Sequence, residues 1–150
     1  MDEAALSEEE MSMEYRRIFY REASGEEGRH SFEYQINFVM EEGSISYSNK
    51  DGGITTRGAM LQKNDLDHFE LLLNKGKPEQ YRDGKNLKAN NCYYKMGSGT
   101  WEILIDYTDG RSQLRIDNSE EDDSTIIEQP GFVVELKEYV INKLGLEDAL

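Results

Sequence analysis

Three side chains of the types that bind transition metals or act as nucleophiles occur in this 150-residue sequence: His30, His68 and Cys92. Zinc sites are built from several such ligands, usually with pairs that lie close together in the chain. Here the three residues are far apart in sequence. A single thiol also cannot form an intramolecular disulfide. The sequence therefore predicts no zinc site, no catalytic residues and no bound cofactor.

An acidic run that begins at Asp117 has the spacing of a calcium-binding loop. Counted as an EF-hand loop, the run places carboxylates at several ligand positions, namely Asp117, Glu121, Asp123 and Glu128. The position that needs glycine for the sharp turn is instead Asp122. The segment before the run has a strand pattern rather than a helix pattern. A solvated acidic loop is therefore the favoured interpretation, with calcium as the alternative.

Charge is the property that narrows the choice of partner most. The chain has 17 Lys and Arg against 31 Asp and Glu, so its formal net charge is −14. Nucleic acid is excluded as a partner, because binding to its backbone depends on Lys and Arg. The charge is also uneven, since residues 74–96 hold six bases and two acids between acidic flanks. We expect the acidic segments to steer a basic protein partner.

Hydrophobic periodicity predicts the order of the secondary-structure elements. Apolar residues alternate with polar ones over residues 32–40 and 101–107, as in strands with one buried face. Two helical patterns follow such strands: one begins at Asn64 as N-cap, and the other lies between Pro130 and Gly145. The order is β-β-β-α-β-β-α, with strands joined as hairpins. It predicts an α+β fold, an antiparallel sheet of about five strands with two amphipathic helices on one face.

The chain is predicted to form a single domain over residues 13–150, preceded by an acidic tail or short helix at residues 1–12. Residues 79–99 are polar and rich in glycine and asparagine, which favours a long loop. No apolar stretch approaches the ~20 residues of a membrane helix. The first residues also lack the basic and apolar regions of a secretory signal. We therefore expect a cytoplasmic protein without membrane contact, and the oligomeric state stays open.

One stretch of the sequence has a family resemblance. Residues 101–110 read WEILIDYTDG, and a proline-led helix pattern begins at Pro130. This arrangement resembles the C-terminal half of small bacterial α+β proteins of uncharacterised function, in which a W-x-L-x-I-x-Y-x-D-G strand precedes such a helix. The resemblance implies a bacterial origin and an α+β fold, and it transfers no catalytic residues.

These observations predict a non-enzymatic acidic interaction domain, of the immunity or inhibitor type, that covers a basic protein partner. The residues expected to bind the partner are Glu120, Glu121, Asp122, Asp123, Trp101, Asp106 and Tyr107. The first alternative is a small-ligand-binding or enzymatic domain with its site between the sheet and the 77–99 loop. That alternative would be favoured by a pocket with convergent polar groups. The second alternative is an accessory domain of unknown role.

Overall fold

The computed structural model describes residues 15–24, 30–48, 53–91, 100–118 and 125–144. The strands of these residues are β1 Tyr15–Ser24, β2 His30–Asn37, β3 Glu42–Ser48, β4 Ile54–Met60, β5 Ala89–Asn91, β6 Thr100–Tyr107, β7 Leu114–Asp117 and β8 Thr125–Ile127. The helices are α1 Lys63–Gly76, a 3-10 helix Pro78–Gly84 and α2 Gly131–Leu144. One sheet has the order β4-β3-β2-β1-β6-β7, and β5 pairs with β8 in a second. All of these pairs are antiparallel.

The predicted α+β fold is confirmed, with one strand more than expected in the described main sheet. The additional strand is β4, whose sequence ITTRGAM lacks apolar alternation because almost every residue is exposed. Backbone pairing with β3, from Glu42 opposite Met60 to Ser48 opposite Ile54, holds this strand in place. Alternation of polar and apolar residues reflects the burial of one face of a strand. It does not reveal a strand that is held only by backbone pairing with its neighbour.

Several predicted boundaries were wrong. β2 ends at Asn37 and the turn to β3 lies at residues 38–41, so the alternating pattern over residues 32–40 extends past the end of the strand. The first part of the expected 79–99 loop is the 3-10 helix, followed by the short strand β5. Asn64 is not the N-cap of α1. The cap residue is Gln62, two residues earlier, and the Asp65 carboxylate accepts a hydrogen bond from the backbone amide of Gln62 (3.1 Å).

The core occupies one face of the main sheet. Alternation places every second side chain of β6 on this face, and the same is true of β1, β2 and β7. Phe69 and Leu73 of α1 and Val133, Leu136 and Val140 of α2 belong to the same buried cluster. Its sheet members include Ile18, Tyr20, Tyr34, Ile36, Ile45, Trp101, Ile103, Ile105, Tyr107, Leu114 and Ile116. Both α-helices therefore pack on the same face of the sheet.

A bulge in β1 decides which of its side chains leave the core. Tyr15 lies opposite Tyr107, but Arg17 lies opposite Asp106, so Arg16 is an extra residue on β1. The Arg16 carbonyl accepts a hydrogen bond from the Phe38 amide (3.0 Å). Because of the bulge, Tyr15 stays buried while Arg17 lies on the opposite face of the sheet, next to Asp106.

Two stacked tyrosines of the core differ in how their hydroxyl groups are satisfied. The Tyr20 hydroxyl donates to Glu22 Oε1 and accepts from Gln129 Nε2, each at 2.7 Å. The Tyr34 hydroxyl is fully buried and has no hydrogen-bond partner among the described residues. The two ring centroids lie 5.3 Å apart.

We expect Tyr34→Phe to leave the free energy of unfolding unchanged or to raise it by up to about 1 kcal/mol, because the variant removes a buried, unsatisfied polar group. Tyr20→Phe should lower the same quantity by about 1 to 2 kcal/mol, since it leaves Glu22 and Gln129 without their shared partner. Urea denaturation followed by tryptophan fluorescence measures both. Equal losses in the two variants would contradict the prediction.

Candidate functional site

The face of the main sheet opposite the helices is polar and accessible, and we call it the open face. Its side chains are half-buried or exposed in the described part of the chain. The residues of this face include Arg17, Phe19, Arg21, Glu33, Gln35, Asn37, Glu42, Ser44, Ser46, Ile54, Thr56, Gly58, Met60, Glu102, Leu104, Asp106, Arg115 and Asp117. An antiparallel sheet packed on one side commonly shows this apolar-in, polar-out alternation.

One ion pair of the open face joins β1 to β6. Arg17 donates to Asp106 Oδ2 through Nε at 2.9 Å and through Nη2 at 2.8 Å. The other oxygen, Oδ1, accepts a hydrogen bond from Gln113 Nε2 at 2.7 Å. Both oxygens of the Asp106 carboxylate are therefore engaged, and the guanidinium of Arg17 is fixed above the sheet.

A second group of charges spans β1, β6 and β7. Glu102 lies between Arg21 (3.5 Å) and Arg115 (3.1 Å), and Arg115 also donates to Asp117 (2.6 Å). Hydrogen bonding to Asp117, with the nearby Glu102 carboxylate, raises the pKa of Arg115 above its ordinary value. The side chains of Arg21 and Arg115 are 58% and 59% exposed, whereas Glu102 and Asp117 are 17% and 18% exposed. An approaching molecule therefore meets the guanidinium groups before the carboxylates.

These ion pairs have a positioning role more than a stabilising one. A solvent-exposed pair contributes only about 0 to 1 kcal/mol to folding. Each pair does hold a long arginine side chain in one orientation. The side chain therefore loses less conformational entropy when a partner binds. Between the two groups lie Phe19 and Leu104, directly opposite each other on β1 and β6. Both are half-buried, so an apolar strip separates the charged groups.

The middle of the β3–β4 half of the open face has small residues: Ser44 and Ser46 on β3 and Thr56 and Gly58 on β4. The hydroxyl groups of Ser46 and Thr56 lie 2.8 Å apart and form a hydrogen bond. Gly58 has no side chain, and a shallow hollow of about 470 Å³ lies over it. Gln35, Asn37, Glu42, Ser44 and Met60 are among the residues that line the hollow.

The structure places only one of the three predicted β6 site residues on the open face. Asp106 lies there, but Trp101 and Tyr107 belong to the core and are 7% and 6% exposed. Neighbouring or odd-spaced residues of a strand face opposite sides of the sheet, so these three cannot share one surface. Burial, together with the nearby Glu79 carboxylate, raises the pKa of Tyr107.

The predicted acidic contacts Glu120, Glu121, Asp122 and Asp123 lie outside the described residues, as do Cys92 and the side chain of His30. Of the calcium candidates, Asp117 and Glu128 are described, and Asp117 is bound to Arg115 (2.6 Å). Within the described ranges, no group of three His, Cys, Asp or Glu side chains could hold a metal ion. The ring of His68 packs against Tyr139, with centroids 4.2 Å apart.

A second hollow, of about 500 Å³, lies between the 3-10 helix region and β7, near the place expected for a small-ligand site. Arg82 lines it, but its guanidinium donates to both oxygens of Glu79 and to the carbonyls of Ser112 and Gln113. Trp101, Asp106 and Tyr107 do not line this hollow. The arginine therefore supports the chain locally.

The sequence reasoning missed the arginines of the open face. Arg17 and Arg21 are four residues apart on β1, and Glu102 and Asp106 are four residues apart on β6. Matching spacing of opposite charges on two strands is the signal that could have identified them, because antiparallel pairing brings such sets together.

No protein-family model matches this chain, and no curated protein shows significant similarity to it. The expected relationship to small bacterial α+β proteins therefore stays a prediction. None of the helices in the described part of the chain is long and apolar enough to cross a membrane.

Proposed function

We propose that this chain is a non-enzymatic protein-interaction domain, of the immunity or inhibitor type, whose open face binds a basic protein partner. The observation that supports the proposal is the face of the six-stranded sheet opposite the two α-helices, whose described side chains are half-buried or exposed. There, fixed arginines surround the apolar strip of Phe19 and Leu104. An apolar centre within a polar rim is the usual arrangement of a protein–protein interface.

Charge supports a basic partner. The chain carries a net charge of −14, and its open face has five carboxylates and three guanidinium groups. Such a potential accelerates association with a basic protein and makes the rate depend on salt. The net charge acts at long range, whereas at contact the exposed Arg21 and Arg115 must meet acceptor groups of the partner. The face therefore favours a basic protein with a matching pattern of both signs over any polycation.

The dimensions of the face are adequate for part of an interface. Strands about 4.8 Å apart and ~7 residues long give six strands an area on the order of 500 Å². A stable complex commonly buries about 800 Å² on each partner. We therefore expect the partner to extend beyond the open face onto a neighbouring edge.

Phe19→Ala is expected to weaken partner capture at least about tenfold, because a central aromatic side chain is the kind of residue on which interfaces depend most. Capture from an extract of the native host, at about 50 mM and about 500 mM salt, measures the effect and its salt dependence. Leu71→Ala is the matched control, since Leu71 is an exposed apolar residue (59%) on α1. Equal capture by both variants, or no salt-sensitive basic protein captured by the wild type, would contradict the proposal.

A further inference from the structure

The two edges of the main sheet differ in how they are protected. The edge strand β7 has four residues, and Arg82 of the 3-10 helix binds the carbonyls of Ser112 and Gln113 just before it. The other edge strand, β4, has seven residues and pairs with β3 alone among the strands of the described residues. Its register with β3 continues without a shift, and it contains no proline. Proteins usually block a long regular edge, because it is a template for pairing with another strand.

One end of β4 carries an apolar and acidic surface, which we call the β4 corner and define as Val39, Met40, Glu41, Glu42 and Met60. Its three apolar side chains are 65%, 56% and 69% exposed. The Leu61 amide donates to the Glu41 carbonyl (2.7 Å), which joins the β2–β3 turn to the end of β4. Among the described residues, neither Glu41 nor Glu42 is in a salt bridge.

We propose that β4 binds an extended, basic segment of the partner protein as a seventh strand of the sheet, with its apolar side chains on the β4 corner. This inference rests on the proposed function and names the element through which the partner is held. Backbone hydrogen bonds to β4 supply the affinity, as in other cases of strand addition. A lysine or arginine of the segment lies near Glu41 and Glu42.

Charge favours a basic segment of a partner protein over a second copy of this chain as the added strand. Two copies would each bring a net charge of −14 to the contact, whereas a basic segment is attracted to the unpaired carboxylates of the corner. Side-chain space adds a further requirement. Ile54, Thr56, Gly58 and Met60 share the open face of β4, so the hollow over Gly58 accepts one large side chain of the added strand.

Synthetic peptides of about nine residues, with alternating valine and threonine and with lysine at both ends, test the inference on the full chain. We expect this peptide to protect alternate backbone amides of residues 54–60 from hydrogen exchange, measured by NMR, since only the amides that point outward gain a partner. A version with glutamate ends should bind at least about tenfold more weakly, and one with a central proline should not protect β4.

The double variant Glu41→Lys/Glu42→Lys should weaken binding of the basic peptide at least about fivefold. Glu138→Lys, at an exposed site on α2, is the control with the same type of charge change and should leave binding unchanged. Equal affinity of the basic and acidic peptides would overturn the inference. So would protection of β4 that depends on protein concentration without any peptide, which would indicate a second copy.

The host partner distinguishes this inference from the proposed function. Suppose that Phe19→Ala abolishes capture, but that the partner bound to the wild-type chain does not protect the β4 amides from hydrogen exchange. The strand-addition inference is then overturned and the open-face proposal stands. If the partner protects β4 but is captured equally well by Phe19→Ala, the open face is overturned as the binding surface and β4 is supported.

Discussion

Gly76→Ala is expected to lower the free energy of unfolding by at least about 2 kcal/mol. Gly76 is the last residue of α1, and a methyl group there would overlap the side chain of Phe132 on α2, at 2.5 Å from Cγ and 2.8 Å from Cδ1. Phe132 is 4% exposed and stacks on Tyr81 with centroids 6.0 Å apart, so it has little room to move. Overpacking of this kind typically costs about 1 to 3 kcal/mol or more, against a gain of up to about 1 kcal/mol from the helix propensity of alanine.

Urea denaturation measures the effect, and Gly131→Ala provides the matched control. Gly131 is the first residue of α2, and apart from its chain neighbours and the backbone of its own helix, no atom lies within 4 Å of the position that its Cβ would take. There the substitution only restricts the unfolded chain, so stability should be unchanged or raised by up to about 1 kcal/mol. If both variants lost a similar free energy of unfolding, the contact with Phe132 would not be the cause of the loss in Gly76→Ala.

Gly76 also shows how far local sequence signals extend. A glycine shortly before a proline, here Pro78, is typical of a helix end, and α1 does end at Gly76. The contact with Phe132 joins residues 56 positions apart, and no local pattern reports such a distance. In the same way, the alternation of β6 was readable from its sequence, because one face of that strand is buried and the other is not.

Elements without one buried and one exposed face were harder to predict from the sequence. β4 is exposed along nearly its whole length, and the 3-10 helix contains a residue with a left-handed backbone, Asp83, with φ 62°. The bulge at Arg16 lies in a continuous strand pattern, yet it places Tyr15 on the buried face, whereas Arg17 meets Asp106 through the regular register of β1 and β6. Asp106 was predicted as a partner contact together with Trp101 and Tyr107, and of the three only Asp106 lies on the open face. Its arginine partner depends on strand pairing that the sequence does not display.

Asp65 is the buried charge on which the contact between the two α-helices depends. It is 2% exposed. Its carboxylate accepts hydrogen bonds from the backbone amide of Gln62 (3.1 Å) and from the Tyr139 hydroxyl (2.9 Å), and it forms an ion pair with Lys143 (3.1 Å). Burial alone would raise the pKa of Asp65, but the bonds from Gln62, Lys143 and Tyr139 outweigh it, so the pKa lies below its ordinary value. Burial and the adjacent Asp65 raise the pKa of Tyr139 to about 12.

Asp65→Ala is expected to lower the free energy of unfolding by about 3 kcal/mol. The variant removes the carboxylate that caps the Gln62 backbone amide, worth about 1 kcal/mol, and leaves the Tyr139 hydroxyl and the Lys143 ammonium without their shared acceptor. The matched control is Asp67→Ala two residues further along α1, where Asp67 is exposed and pairs with Lys63 at 2.9 Å. A pair this exposed contributes little to folding, so the loss should be small. If urea denaturation showed equal losses of unfolding free energy for Asp65→Ala and Asp67→Ala, the role of burial at Asp65 would be contradicted.

The acid dependence of stability should identify Asp65 as a charged group. Because its pKa is lower in the folded chain than in the unfolded chain, the unfolded state binds the proton more readily, and stability rises with pH across that interval. The contribution is complete above the unfolded pKa of about 4 and is lost as the pH falls through the folded pKa. Asp65→Asn cannot ionise, so its free energy of unfolding should fall less steeply than that of the wild type below about pH 4. Parallel curves for the two proteins in acid would show that the carboxylate titrates alike in both states, and that its contacts with Tyr139 and Lys143 do not favour the charged form.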